Sequence, residues 1–182
     1  MRLIPEANKA KENIHVATAI SGIRSAFLDL ISKRIELDLN SFLLEQNQNK
    51  NIQKKESINL YANINRSLLP DDNGPVKRTP ESFSQKAKEF ENKGFTTIKC
   101  APFDECKSPF SEKNKIPNEA SIGLERISAI KQNISSKTNL FIDCHSRFDL
   151  QSSYYLHDEL FDMKVDWFEE PVDPEKNEDD MI

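Results

Sequence analysis

Between Ile20 and Ile35 the apolar residues Ile20, Ile23, Phe27, Leu30, Ile31 and Ile35 recur mostly at steps of three and four, the spacing that lines one face of a helix. Beyond Leu43 and Leu44 the pattern stops. Residues 45–56, EQNQNKNIQKKE, hold one apolar residue and no period, which predicts an exposed linker and a domain boundary. The chain thereby divides into a helical segment at 1–45, a linker at 46–56 and a second region at 57–182.

Past that boundary two periods alternate. SINLYANIN, residues 57–65, sets Ile58, Leu60, Ala62 and Ile64 at every second position, which predicts a strand, and LLPDDNGP then supplies a turn. Thr79, Pro80 and Glu81 offer a capping hydroxyl, a proline suited to the first helical position and an acid for the first turn. Phe83, Ala87 and Phe90 share one face of that helix, and Lys93-Gly94 closes it. FTTIKCA, from Phe95, is a β-branched strand, and Asn118 is placed to cap a helix carrying Leu124, Ile127, Ile130 and Ile134. NLFIDCH, 139–145, is an apolar strand, Leu156, Leu160 and Met163 mark a short helix, and VDWFEEP holds the last strand. Strands joined by helix-length crossovers pair in parallel and are covered by their helices, so the fold class is α/β. Such architectures put chemistry at the carboxyl ends of strands, here Asn63 with Asn65, Lys99, Asp143 with His145, and Glu169 with Glu170.

Composition narrows the function classes. A length of 182 residues suffices for a real core, and 37% hydrophobic residues with 11 Phe exclude a wholly disordered chain. No apolar stretch is seen to approach the roughly 20 residues that cross a bilayer, and MRLIPEANKAKEN lacks the apolar centre of a signal peptide, so a cytoplasmic protein without a membrane partner is expected. Twenty-five Lys and Arg against 30 Asp and Glu give a net charge of −5 with the basic residues scattered, which argues against a nucleic-acid partner. Cys100, Cys106 and Cys144 form no CxxC pair and are expected to be reduced packing thiols.

Asp143 and Glu169 close consecutive apolar strands, so their carboxylates should project from one rim. Mg²⁺ takes such oxygens, with water or substrate completing its shell. Equally, Asp143 could cap a turn and Glu169 could pair with a lysine. His145 lies two residues beyond Asp143, which on a strand returns to the same face, and an imidazole there suits acid or base work; His15 and His157 lie on helices with no matching acids. Lys99 ends an apolar strand, where an ammonium is costly unless it meets an anion, and a carboxylate substrate would be one. Arg147 could orient that substrate, hold Asp143 or sit solvated in a turn, and Asn65 is a further substrate-binding candidate.

IKCAPFDE, FIDCHSRFD and WFEEPVDPE resemble the second, third and fourth barrel strands of the enolase superfamily, in its mandelate racemase and muconate lactonizing branch. Residues 19–43 are similar to the helical segment that links that family's capping domain to its barrel, and INLYANINRS to its first strand; the resemblance runs over residues 14–175. It implies a partial (β/α)8 barrel of about four parallel strands after a helical remnant of the capping domain. Asp-x-His-x-Arg at 143, 145 and 147, followed by Glu-Glu-Pro at 169–171, most resembles the sugar-acid dehydratases acting on galactonate or mannonate. The resemblance implies Mg²⁺-assisted removal of the proton α to the carboxylate of a small sugar acid, through an enediolate, to a 2-keto-3-deoxy acid. Asp143 and Glu169 would then be metal ligands, His145 the acid/base catalyst, and Lys99 the cation meeting the substrate carboxylate.

Two departures qualify the match. Lys99-Cys100-Ala101 stands where many members carry Lys-x-Lys with the second lysine as base, which disfavours a racemase. The chain also stops at Ile182, before the fifth-strand position from which the family takes its third metal ligand, and DPEKNEDDMI, residues 173–182, reads as the solvated start of a further loop or helix. A half-barrel would expose two sheet edges and its apolar inner face, so the lone chain is expected to self-associate or to need a complementary half-barrel chain, and to be inactive by itself. An epimerase or cycloisomerase on the same scaffold is the enzyme alternative; a noncatalytic interaction protein is the other.

Overall fold

The computed structural model describes residues 13–47, 55–68, 78–107 and 118–174. Contacts divide the chain into two compact units, residues 1–58 and 59–182. In the first, α1 (Ile14–Arg34) starts at the Asn13 cap, whose side chain accepts from the His15 and Val16 N–H groups, so the helix begins well before Ile20. A turn with Glu36 at φ 59° ends it, and Asp38, accepting from the Ser41 N–H at 2.9 Å, caps α2 (Leu39–Gln46). The expectation that no stretch reaches membrane-spanning length is corrected here: α1, at 21 residues, is long and apolar enough by length and composition. Between Ile14 and Ile31 only Arg24 and Asp29 are charged, because Ala, Ser, Thr and Gly fill the positions between the apolar stripe.

The second unit carries a parallel sheet in the order β1 (Ala62–Asn63), β2 (Thr97–Cys100), β3 (Asn139–Asp143), β4 (Trp167–Glu169). It alternates with α3 (Pro80–Asn92), α4 (Asn118–Asn133) and α5 (Leu150–Asp162). Four parallel strands alternating with helices make an α/β unit, a partial (β/α) barrel. Thr79 caps α3 by accepting from the Ser82 N–H, Pro80 takes the first position, and Gly94 at φ 95° leaves the helix in the left-handed region open to glycine. Asp149 caps α5 in the same way, accepting from the Ser152 N–H at 2.8 Å. The turn at 69–77, most of the linker, the capping side chain of Asn118 and residues 175–182 lie outside what is described.

One sequence-based strand is shorter than expected. Only Ala62 and Asn63 pair with β2, opposite Ile98 and Lys99, and Ile58 and Leu60 are exposed. The apolar core lies on one side of the sheet. Ala62, Ile64, Ile98, Cys100, Leu140, Ile142 and Cys144 pack there with Phe83 and Ala87 of α3, Ile127 and Ile130 of α4, and Leu156 and Leu160 of α5. Glu91 of α3 binds the loop before β3, accepting from the Thr138 hydroxyl at 2.6 Å and the Ser135 N–H at 2.7 Å. The three cysteines are buried free thiols; burial pushes Cys100 up to about 12 and Cys144 well above the ordinary thiol range.

Candidate functional site

The face of the sheet opposite the apolar core follows from the period of two along each strand. Lys99, Phe141 and Trp167 occupy one register row, and Asp143 and Glu169 are directly paired one step further toward the carboxyl ends. Lys99 Nζ lies 2.7 Å from Glu169 Oε1 and 3.0 Å from Asp143 Oδ2, so it bridges both acids. The lysine side chain is only 9% exposed and that of Asp143 12%. Burial opposes the charge on Lys99, but its hydrogen bonds to Glu169 and Asp143 outweigh that penalty and hold the ammonium above the ordinary lysine range. The anions that Lys99 meets here are the protein's own carboxylates, Asp143 and Glu169.

His145 reaches the same place by a different route from the one its spacing suggested. β3 ends at Asp143, and His145 and Ser146 form a turn at φ 47° and 56°, so the alternation of the strand does not extend to the imidazole. Hydrogen bonds zip this turn to the end of β4: Cys144 N–H to Glu169 O at 3.0 Å, Ser146 N–H to Glu170 O at 2.8 Å and Phe148 N–H to Pro171 O at 3.0 Å. Ser146 Oγ adds a 2.6 Å bond to Glu170 Oε1. Glu170 is itself at φ 45°, so three of the five non-glycine residues with positive φ among the described residues cluster at the ends of β3 and β4. The turn sets His145 Nε2 3.5 Å from Asp143 Oδ2 and Nδ1 2.7 Å from Asp104 Oδ1.

Asp104 carried no assigned role in the sequence, although it follows β2 in the stretch PFDE and therefore lies at the same carboxyl rim. Its loop is held firmly. Arg126 donates to Pro102 O at 2.6 Å and to both Glu105 oxygens, and Arg78 donates to Ala101 O at 2.7 Å and to Glu105 Oε1 at 2.7 Å. Both guanidinium groups lie about 5 Å from the centre of the Phe83 ring. Phe103 is buried edge-on to Phe148 and against Gly123, where any Cβ would collide with the Phe103 ring, so this glycine lets the loop approach α4. Arg78 falls outside every motif; its only sequence signal is its place just before the Thr79 cap.

The two substrate-binding candidates both bond within the protein. Asn65 donates to Asp104 Oδ2 at 3.0 Å and accepts from Arg78 Nη1 and the Ala101 N–H, so both ends of its amide hold the loop. Arg147 donates to Cys106 O at 3.2 Å and makes no bond to Asp143, while its Nε is buried without a partner among the described residues.

The donor set suits a hard dication as far as it goes. Asp143 Oδ1 takes the His145 N–H, Oδ2 and Glu169 Oε1 take Lys99, and Glu169 Oε2 takes Trp167 Nε1 at 3.1 Å. Each oxygen therefore retains a lone pair, and Mg²⁺ is commonly held by one or two carboxylates with water or substrate. No group of three or more His, Cys, Asp and Glu side chains is arranged to hold a metal among the described residues, so these two acids are the ligands on offer.

Residues 82–182 match the Enolase C-terminal domain-like family. The chain belongs to that family. Among curated proteins, the D-gluconate/D-galactonate dehydratase of Picrophilus torridus is 24% identical over 169 residues, covering 90% of this chain and 37% of that protein. A protein from Zymomonas mobilis ZM4 proposed to be a dehydratase superposes with a TM-score of 0.66 at 17% identity, over 84% of this chain and 38% of that one. A dipeptide epimerase from Methylococcus capsulatus, solved with a Mg ion, superposes with a TM-score of 0.59 at 15% identity, over 84% and 35%. These structures share the fold, and the chain spans less than two fifths of the length of each relative.

Proposed function

We propose that this chain is part of a sugar-acid dehydratase, which removes the proton α to a carboxylate and expels the β-hydroxyl as water to give a 2-keto-3-deoxy acid. The observation that carries the reading is the cluster Lys99, Asp143 and Glu169 at the carboxyl ends of three adjacent strands, with His145 Nε2 3.5 Å from Asp143. The 24% identity to a D-gluconate/D-galactonate dehydratase supports the substrate class. An α-proton beside a carboxylate is very weakly acidic, so the site must stabilise the charge that its loss creates. Asp143 and Glu169 would hold Mg²⁺, which when bound supplies positive charge opposite the substrate's carboxylate oxygens. Lys99 adds a second cation within 3.0 Å of both acids. His145 breaks the Cα–H bond by taking the proton on Nε2, or returns a proton to the departing hydroxyl so that it leaves as water. The electron pair of the broken C–H bond becomes the new C=C bond, and the enol settles to the ketone. A cytoplasmic setting belongs to the same reading.

Incubating the enzyme, in the assembly found in its source, with D-gluconate, D-galactonate and Mg²⁺ tests this directly. Appearance of a 2-keto-3-deoxy acid is the expected result. Recovery of an epimerised acid would replace the dehydratase by an epimerase, and no turnover across a panel of sugar acids would leave only a noncatalytic role.

A further inference from the structure

We propose that Asp104 is the positioning residue for His145, fixing a proton on Nδ1 and leaving Nε2 bare toward Asp143. The inference rests on the reading of His145 as the acid/base group, although its geometry needs no substrate. Asp104 Oδ1 lies 2.7 Å from His145 Nδ1, and an ionised carboxylate can only accept, so the ring nitrogen in that contact carries the hydrogen. The imidazole then has its lone pair on Nε2, the state that can take a proton from carbon; the opposite tautomer cannot do so from this orientation.

The assignment propagates from the backbone. Ala101 N–H donates to Asn65 Oδ1 at 3.3 Å and Arg78 Nη1 donates to the same oxygen at 3.2 Å, so the Asn65 amide cannot turn round without losing both bonds. Its Nδ2 therefore faces Asp104 Oδ2, at 3.0 Å, and Arg78 Nη2 stands 3.7 Å from that oxygen. With Oδ2 held on this side, Oδ1 is the oxygen left for the ring. The backbone of His145 is confined as well, in the zipped turn at φ 47°, so a ring that lost Asp104 would keep its place and lose its tautomer.

The same chain of donors and acceptors makes Asp104→Asn a sharp probe. Asn65 Nδ2 still demands an acceptor, so the new amide turns its oxygen to Asn65 and its NH₂ to the imidazole. That NH₂ can only donate, which strips the proton from Nδ1 and moves it to Nε2. The experiment labels the histidines of the whole chain with ¹⁵N and reads long-range ¹H–¹⁵N correlations at a pH well above the imidazole range, with His145 assigned through His145→Asn. The native chain is expected to show a protonated Nδ1 and a bare Nε2. Asp104→Asn is expected to exchange the two patterns, and Asp104→Ala to shift the proton from Nδ1 toward Nε2, where Asp143 Oδ2 stands 3.5 Å away. A native His145 protonated on Nε2 would overturn the proposal, as would a protonated Nδ1 that survives in both variants. A role for Asp104 confined to loop stability would leave the tautomer of any folded variant unchanged. An exchange of tautomer in an enzyme that dehydrates no sugar acid would support the positioning bond and overturn the function proposed above.

Discussion

The two faces of the four-stranded sheet are made of the same strands and serve opposite ends. On the covered face Ile98, Leu140 and Ile142 are fully buried among residues of α3, α4 and α5, so each stabilises in proportion to the apolar area it removes from water. On the opposite face the strands present the Lys99, Asp143 and Glu169 cluster beside an aromatic row, Tyr61, Phe141 and Trp167, with ring centres 6.4 and 6.2 Å apart. Trp167 there is 55% exposed. The contrast teaches that strand alternation separates the residues that build the core from a charged cluster, one residue apart. It also predicts different responses to mutation.

The largest effect is expected on the covered face. Ile142→Ala should cost about 3 kcal/mol in denaturant unfolding, the transfer and cavity terms adding, and no single second substitution should restore it. A cost near zero would mean that the helices do not bury this face. On the opposite face Lys99→Met should cost less, about 2 kcal/mol, because it strands Asp143 beside Glu169, whose side chain is 36% exposed and better solvated. Adding Asp143→Asn should recover much of that loss, since the uncompensated charge goes with it. A double variant as unstable as the sum of the singles would remove the ion cluster from the account.

The smallest effect concerns Glu91, away from both faces. Burial opposes its charge, but hydrogen bonds from Lys88, Thr138 and the Ser135 N–H hold its carboxyl at about 2. The folded value is depressed, so the contribution is complete above the ordinary carboxylate range and is lost as pH falls from about 4.5 toward 2. Glu91→Gln should cost about 1 kcal/mol near neutral pH and flatten the acid side of the stability profile over that window, as measured by denaturant unfolding at several pH values.

The fold was largely legible because its signals are local. Thr79-Pro80-Glu81 and Lys93-Gly94 mark both ends of α3, and the apolar runs at 97–100 and 139–143 are strands. The misreadings arose where pairing partners decide. SINLYANIN alternates throughout, yet only the two residues opposite Ile98 and Lys99 can form a ladder. Asp143, Glu169 and Lys99 were visible as polar ends of apolar strands, and the structure brings them together. Asp104 and Arg78 were not, because their significance lies in contacts across tens of residues, such as Asn65 to Asp104 and Arg78 to Ala101. His145 was found for a reason the backbone does not honour: a left-handed turn, rather than strand alternation, carries the ring to Asp143.

Under the proposed function Asp143 and Glu169 would form the metal end of a dehydratase site, and the product assay with D-gluconate and D-galactonate reads this most directly when Mg²⁺ is titrated. Native enzyme should gain turnover to the 2-keto-3-deoxy acid with added Mg²⁺ and lose it to a chelator, while Asp143→Asn should show at least a hundredfold loss at every Mg²⁺ concentration, on the order expected for removing a ligand from a catalytic metal. Turnover that Asp143→Asn retains in full, or that ignores the chelator, would contradict the assignment.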